Sequence, residues 1–143
     1  GFSFYTNYDS RKGTELTQSG KAALLFYWPE MDTQIRLEGA VFQLTRSESE
    51  AYFKTRPRLS QLGAWASHQR QKIKDHEELE KKVQEFDRNF SGPEVPCPPF
   101  WGGFHLVPLR FEFWFARPGR LHERYVYQRP TVGAPWETEM LSP

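Results

Sequence analysis

The stretch RLHERYVYQR, residues 120–129, places Arg120, His122 and Arg124 at alternate positions. On a β-strand they would share one face, and three groups that are or can become cationic repel one another unless something negative lies opposite. The preceding stretch RFEFWF alternates Arg110, Glu112 and Trp114 with Phe111, Phe113 and Phe115. A flat ring beside several cations suits a ligand that joins an aromatic ring to an anion, such as a nucleotide or a phosphorylated heterocycle. A solvated strand face with Glu112 and Glu123 as counter-charges accounts for the same residues, and by pattern alone it is the commoner case.

Two more basic groups could hold an anion. SRKG, residues 10–13, follows a strand and opens a helix, so backbone N–H groups would join Arg11 and Lys12 around a phosphate. In YFKTRPRLS, Tyr52 and Arg56 lie four apart and would share a helix face, with Ser60 adding a hydroxyl at the start of the next helix. An amphipathic surface helix has the same pattern. Other chemistries find no support. There is neither a dinucleotide fingerprint nor a P-loop. The four histidines have no zinc spacing, and no metal site is expected. Cys97 lies among prolines without a neighbouring base, which argues against a thiol nucleophile.

The chain has 143 residues, 38% of them hydrophobic and 16% aromatic, so one domain with a real core is expected. The net charge of +1 gives no global field for nucleic acid or a membrane surface, and neither is expected as a partner. A single cysteine excludes an internal disulfide and fits a reducing, cytoplasmic setting. No apolar run is long enough to span a bilayer as a helix. The chain opens on Gly1 within what reads as a strand, so a natural N-terminal portion is expected to be absent.

The elements that must position these groups follow from periodicity. Residues 1–7 read as a strand, and a turn then leads to a short helix reaching about Lys21. AALLFYW is a near-continuous apolar run, read as a buried strand ended by Pro29. After a turn, TQIRLEGAVFQL alternates, with Gln34, Arg36 and Glu38 on one face. Ser47 and Glu50 have capping-box spacing at the start of a helix that ends near Pro57. RLSQLGAWAS forms a second short helix, and a third runs from a cap at Asp75 to Phe90. A proline-rich connector, SGPEVPCPP, leads to three closing strands, the first two joined by a turn at residues 117–119. The class is mostly β with helices (α+β): antiparallel strands in a small barrel with helical excursions.

Taken together and in order, GFSFYTNYDSRKGTEL, FYW, QIRLEG, YFKTRPRLSQLGAWASHQ, VPCPPFWGGF, EFW and RLHER resemble pyridoxamine 5′-phosphate oxidase, also called pyridoxine 5′-phosphate oxidase, over the whole chain. The resemblance implies one FMN-binding split β-barrel over residues 1–143, N-terminally incomplete, with a C-terminal dimerisation region at about 97–143. It implies a homodimer that oxidises pyridoxamine 5′-phosphate or pyridoxine 5′-phosphate to pyridoxal 5′-phosphate. Hydride would pass from C4′ to flavin N5, with dioxygen as final acceptor giving hydrogen peroxide. By the same resemblance Tyr5, Thr6, Arg11 and Lys12 hold FMN from one subunit. Gln34, Arg36, Gln69, Trp114 and Arg124 hold it from the other. Tyr52, Arg56 and Ser60 bind the substrate phosphate, and Arg120 and His122, the implied catalytic pair, lie against the substrate ring. The negative partners of Arg120, His122 and Arg124 would then be ligands. The sequence departs from the family at Arg70, where a Ser is usual, at Phe115 and Ala116 in WFA, where Gln and Gly are usual, and at Met140, where an Arg is usual. These changes leave open a catalytically impaired split barrel that binds pyridoxal phosphate or flavin, or only dimerises.

Overall fold

The computed structural model describes residues 1–67 and 72–143. Its elements are β1 (Phe2–Asn7), α1 (Arg11–Ser19), β2 (Lys21–Trp28), β3 (Thr33–Gln43), α2 (Arg46–Thr55), α3 (Arg58–Ala66), α4 (His76–Asn89), β4 (Trp101–Phe115), β5 (Glu123–Gln128) and β6 (Glu137–Leu141). The sheet order is β2-β3-β4-β5-β6, with β1 paired to β4 off this path. Two compact units divide the chain. One contains Gly1–Phe2, Ser19–Phe42 and His105–Pro143, and the other contains Ser3–Gln18 and Gln43–Phe104.

The second unit holds the helices. Ser10 Oγ accepts from Gly13 N at 3.0 Å and so caps the first turn of α1. The helix stops at Ser19, short of the expected Lys21, because Gly20 takes a left-handed φ of 61° that glycine adopts without steric cost. The α2 cap also differs from expectation. Thr45, not Ser47, is the N-cap, and Glu48 completes the capping box. Overlapping Thr-x-x-Glu and Ser-x-x-Glu patterns compete here, and Arg46 engages Glu50 at 2.7 Å. Asp75 caps α4 as expected, accepting from Glu78 N at 2.9 Å. Phe53, Leu62, Val95 and Trp101 form the core of this unit, with Trp65, Phe86 and Phe90 packed on it. Arg58 reaches Asp87 and the carbonyls of Phe90 and Gly92, fastening the proline-rich connector to α3.

In the first unit β2 and β3 pair antiparallel from Lys21↔Ala40 to Trp28↔Thr33. A 3-10 turn at Pro29–Met31 closes this hairpin, with Asp32 at φ 44°. Gly39 is obligatory for the approach of β4, since a Cβ there would stand 2.0 Å from the Val107 carbonyl oxygen. Leu37, Leu106 and Val126 are fully buried.

The apolar run in β2 is not buried as its composition suggests. Leu25 and Tyr27 are 59% and 54% exposed, and Phe26 and Trp28 are also exposed. Among the described residues β2 is an edge strand paired with β3 alone, and they leave the run uncovered. The strand expected to begin at Arg120 begins instead at Glu123. Residues 118–120 form a 3-10 turn in which Gly119 and Arg120 both have positive φ, at 68° and 62°. Arg120 and His122 therefore precede the strand, and only Arg124 of the alternating trio belongs to it.

Candidate active site

Each compact unit carries one cluster of the residues singled out in the sequence. In the helical unit a pocket of about 410 Å³ is lined by Tyr5, Thr6, Lys12, Arg56, Ser60 and Trp101, together with Asn7 and Ser67. β1 supplies its aromatic and hydroxyl wall, the first turn of α1 supplies Lys12, and the α2–α3 junction supplies Arg56 and Ser60. Arg56 does not continue the helix from Tyr52 as expected. It is the C-cap of α2, with extended backbone (φ −76°, ψ 147°), because Pro57 follows and disfavours helical geometry before it.

That turn lays the Arg56 guanidinium over Trp101, 4.9 Å from the ring centroid, and 5.7 Å from that of Phe53. Its Nη1 is buried without a hydrogen-bond partner among the described residues. A buried donor left unpaired costs roughly 1–3 kcal/mol, so such a group in a polar pocket marks a place for an acceptor. Tyr52 stacks on Tyr5 with ring centroids 3.8 Å apart, and Tyr5 on Trp101 at 5.3 Å. Burial, followed by the neighbouring Tyr52 and Glu48, pushes the Tyr5 phenol above its usual range, so it stays protonated and can donate. Thr6 and Ser10 are buried with their hydroxyl oxygens 3.4 Å apart. Arg11 does not line the pocket. It lies exposed on α1 and pairs with Glu15 one turn on.

The other cluster lies on β3, β4 and β5. Trp114 and Arg124 are direct cross-strand partners. His122 packs on Trp114, with centroids 4.7 Å apart, and its Nδ1 accepts from Arg117 N at 3.2 Å. Arg120 is exposed at the turn. Gln34 and Arg36 alternate along β3. The expectation that Arg124 meets a ligand in place of a neighbouring side chain needs correction. Arg124 Nε and Nη2 lie 2.9 and 2.8 Å from Glu112 Oε1. Arg110 Nη2 donates to Glu112 Oε2 at 2.9 Å. Glu123 is likewise engaged, by Arg117 at 2.8 Å. The reason is burial: Glu112 is 5% exposed, and a carboxylate so enclosed requires cationic partners. Burial pushes its carboxyl upward, but the hydrogen bonds from Arg110 and Arg124 outweigh this and hold it below the usual carboxylate range. Gln69, expected at the flavin, and Arg70 lie outside the described residues.

Asn7, Ser67 and Trp101 were not singled out in the sequence. Trp101 had a signal, a large ring opening the glycine-rich WGGF, whereas Asn7 and Ser67 had none.

Residues 1–89 match the family described as pyridoxamine 5′-phosphate oxidase. Residues 101–143 match the pyridoxine 5′-phosphate oxidase C-terminal dimerisation region. A pyridoxine/pyridoxamine 5′-phosphate oxidase of Rubrobacter xylanophilus is 50% identical over 143 residues, covering 100% of this chain and 65% of the relative. One from Anaeromyxobacter dehalogenans is also 50% identical and is covered to 71%. The pyridoxamine 5′-phosphate oxidase of Saccharomyces cerevisiae is 46% identical and is covered to 64%. The chain thus spans about two thirds of the length of the curated relatives it matches. Among solved structures, PhzG from Burkholderia lata 383, in complex with tetrahydrophenazine-1-carboxylic acid, superposes with a TM-score of 0.88 at 36% identity, over all of this chain and 69% of that one. A pyridoxamine 5′-phosphate oxidase-related, FMN binding protein from Nostoc punctiforme shares the fold, with a TM-score of 0.75 at 19% identity, over 99% of this chain and 72% of that one. The expected split-barrel class is the fold of these neighbours. On the family matches and the identity over all 143 residues of this chain, the chain belongs to the pyridoxamine 5′-phosphate oxidase family.

Proposed function

We propose that this chain forms the main part of an FMN-dependent oxidase that converts pyridoxamine 5′-phosphate or pyridoxine 5′-phosphate to pyridoxal 5′-phosphate. The observation that carries the reading is Arg56 Nη1, buried and without a partner among the described residues, on a side chain that lines a pocket with Lys12 and Ser60. A phosphate monoester offers the acceptor oxygens which that donor lacks. The donor set fits both phosphorylated groups in kind: cations, hydroxyls and stacked aromatic rings, with no requirement for a metal.

Arg56, Ser60 and Tyr52 would hold the substrate phosphate. Lys12, Tyr5 and Thr6 would hold FMN, with Gln34, Arg36, Gln69, Trp114 and Arg124 contributing from a second subunit. Arg11 would join them by exchanging Glu15 for the ligand. FMN, when bound, supplies hydride acceptance at N5 from the substrate's C4′ and reoxidation by dioxygen to hydrogen peroxide. The chain's own work is orientation and electrostatics. His122 accepts a backbone N–H at Nδ1, so its neutral ring carries the proton on Nε2 and presents a donor to the substrate. Arg120, exposed at the turn before β5, would add a cation to that site.

A homodimer follows from the same reading. Phe111, Phe113, Phe115, Tyr125, Tyr127 and Trp136 line an apolar groove of about 850 Å³, and β2 exposes its own apolar run. Surfaces of that kind mark interfaces. The test is the absorption spectrum of the chain after reconstitution with FMN, followed by oxygen uptake with each phosphorylated vitamer. Bound-flavin bands with turnover support the reading. Flavin or pyridoxal phosphate binding without turnover would support the impaired split barrel, and binding of neither would reject both.

A further inference from the structure

The first compact unit contains a chain of charged groups that runs through three strands. Glu38 Oε1 accepts from Arg36 Nη2 at 2.8 Å and lies 3.5 Å from Arg110 Nη1. Arg110 Nη2 donates to Glu112 Oε2 at 2.9 Å. Glu112 Oε1 takes Nε and Nη2 of Arg124. Arg124 Nη1 ends the series on the Ser142 carbonyl at 3.2 Å. The two outer residues of the series, Arg36 and Arg124, are those proposed to hold FMN. The three inner ones have no proposed ligand contact. Three guanidiniums face two carboxylates, so one positive charge is left over for an anion.

We propose that Glu38, Arg110 and Glu112 are positioning residues that hold the guanidiniums of Arg36 and Arg124 at a set separation, so that the two meet the flavin as a preformed pair. The inference rests on the proposed use of Arg36 and Arg124 for FMN. Long arginine side chains lose much rotamer freedom when a ligand fixes them, and groups already ordered bind more tightly. Stability gives no comparable reason for the charge. Glu112 lies across from the fully buried Val126, where an apolar side chain would pack at least as well as a buried ion pair. The relay is graded. Its Glu112 end is buried and doubly paired, whereas the Arg36–Glu38 end is nearly half exposed and contributes little by itself. Arg124 is thus the more firmly held of the pair, and Arg36 is set through Glu38.

Glu112→Gln discriminates positioning from simple competition. It keeps the shape, removes the negative charge and frees Arg124. If Glu112 only competes with the ligand for Arg124, FMN affinity rises. If it positions Arg124, affinity falls about tenfold, the loss expected for one charge-assisted hydrogen bond out of place. Titration of the 143-residue chain, followed by flavin fluorescence quenching, reads the sign. In parallel, the arginine Nε–H signals are recorded without ligand in the wild type, in Glu112→Gln and in Arg110→Met. The relay requires that Arg110→Met move the signals of both Arg36 and Arg124, neither of which bonds to it directly. An affinity gain or no change in Glu112→Gln, or an Arg110→Met spectrum with either end signal unmoved, overturns the proposal. Absence of flavin quenching in the wild type would reject the FMN reading instead, while the Nε–H spectra still decide the relay. Should Glu112→Gln fail to fold, Glu38→Gln at the exposed end gives the same sign test, with a smaller loss expected.

Discussion

Replacing Arg56 with Met should separate binding from stability. In the ligand-free chain the guanidinium stacks on Trp101, and an exposed to partly desolvated cation–π contact of that kind is worth about 0.5–2 kcal/mol. Against this stands the buried, unpartnered Nη1, whose desolvation costs roughly 1–3 kcal/mol. Met keeps the stem and covers the same rings, so the two effects nearly cancel, and ligand-free stability should change by less than about 1 kcal/mol. Binding should respond very differently. A charge-assisted hydrogen bond to phosphate contributes roughly 1.5–3 kcal/mol, so affinity for pyridoxal 5′-phosphate should fall on the order of tenfold to a hundredfold. FMN affinity should change far less. Thermal melts of the ligand-free protein, with separate titrations of pyridoxal 5′-phosphate and FMN, measure all three quantities. A stability loss of several kcal/mol, with equal losses for both ligands, would refute the argument and make Arg56 a structural residue.

The remaining expectations are more compact. The Glu112 carboxyl is depressed in the folded state, so its contribution to stability is complete above its unfolded value of about 4.3 and is lost as pH falls through the folded value. Acid unfolding followed by circular dichroism should therefore be less steep in Glu112→Gln, and an unchanged acid limb would mean the carboxylate's pairing is not linked to folding. Arg120→Gly should be within about 1 kcal/mol of the wild type in thermal melts, because relief of the left-handed φ offsets the added freedom of the unfolded chain. The same variant should weaken pyridoxal 5′-phosphate binding; intact binding would remove Arg120 from the site. Thr45→Ala should cost about 1 kcal/mol through loss of the α2 cap, whereas Ser47→Ala should be nearly neutral, and the reverse order in denaturant melts would contradict the cap assignment. Sedimentation at micromolar concentration should give a dimer, and Phe113→Glu in the apolar groove should shift it toward monomer. A wild-type chain that sediments as a monomer with flavin bound would refute the interface.

Local order was legible where short-range physics decides it. The Asp75 cap and the spacing of Val83, Phe86 and Phe90 mark α4 in the sequence alone, because a helix is closed by neighbours three and four residues apart. Pro57 announced the break after α2, and the alternation in RFEFWF placed Glu112 and Trp114 on one strand face and the three phenylalanines on the other. The ordered series of motifs pointed to the family before any contact was known. What the sequence left open depended on long-range partners. The composition of AALLFYW reports apolarity but not what covers it, and the edge position of β2 exposes it. Alternation in RLHER looked like strand, yet consecutive left-handed residues at 119 and 120 delay the strand to Glu123, since turn geometry at Gly119 outweighs side-chain period. Arg124 seemed to need a ligand as its anion, but strand pairing sets it beside a carboxylate that burial forces into ionic contact. The orphaned Nη1 of Arg56 belongs to the same class: a proline bend and a tryptophan forty-five positions away on the chain create it together, and only the folded chain brings them into contact.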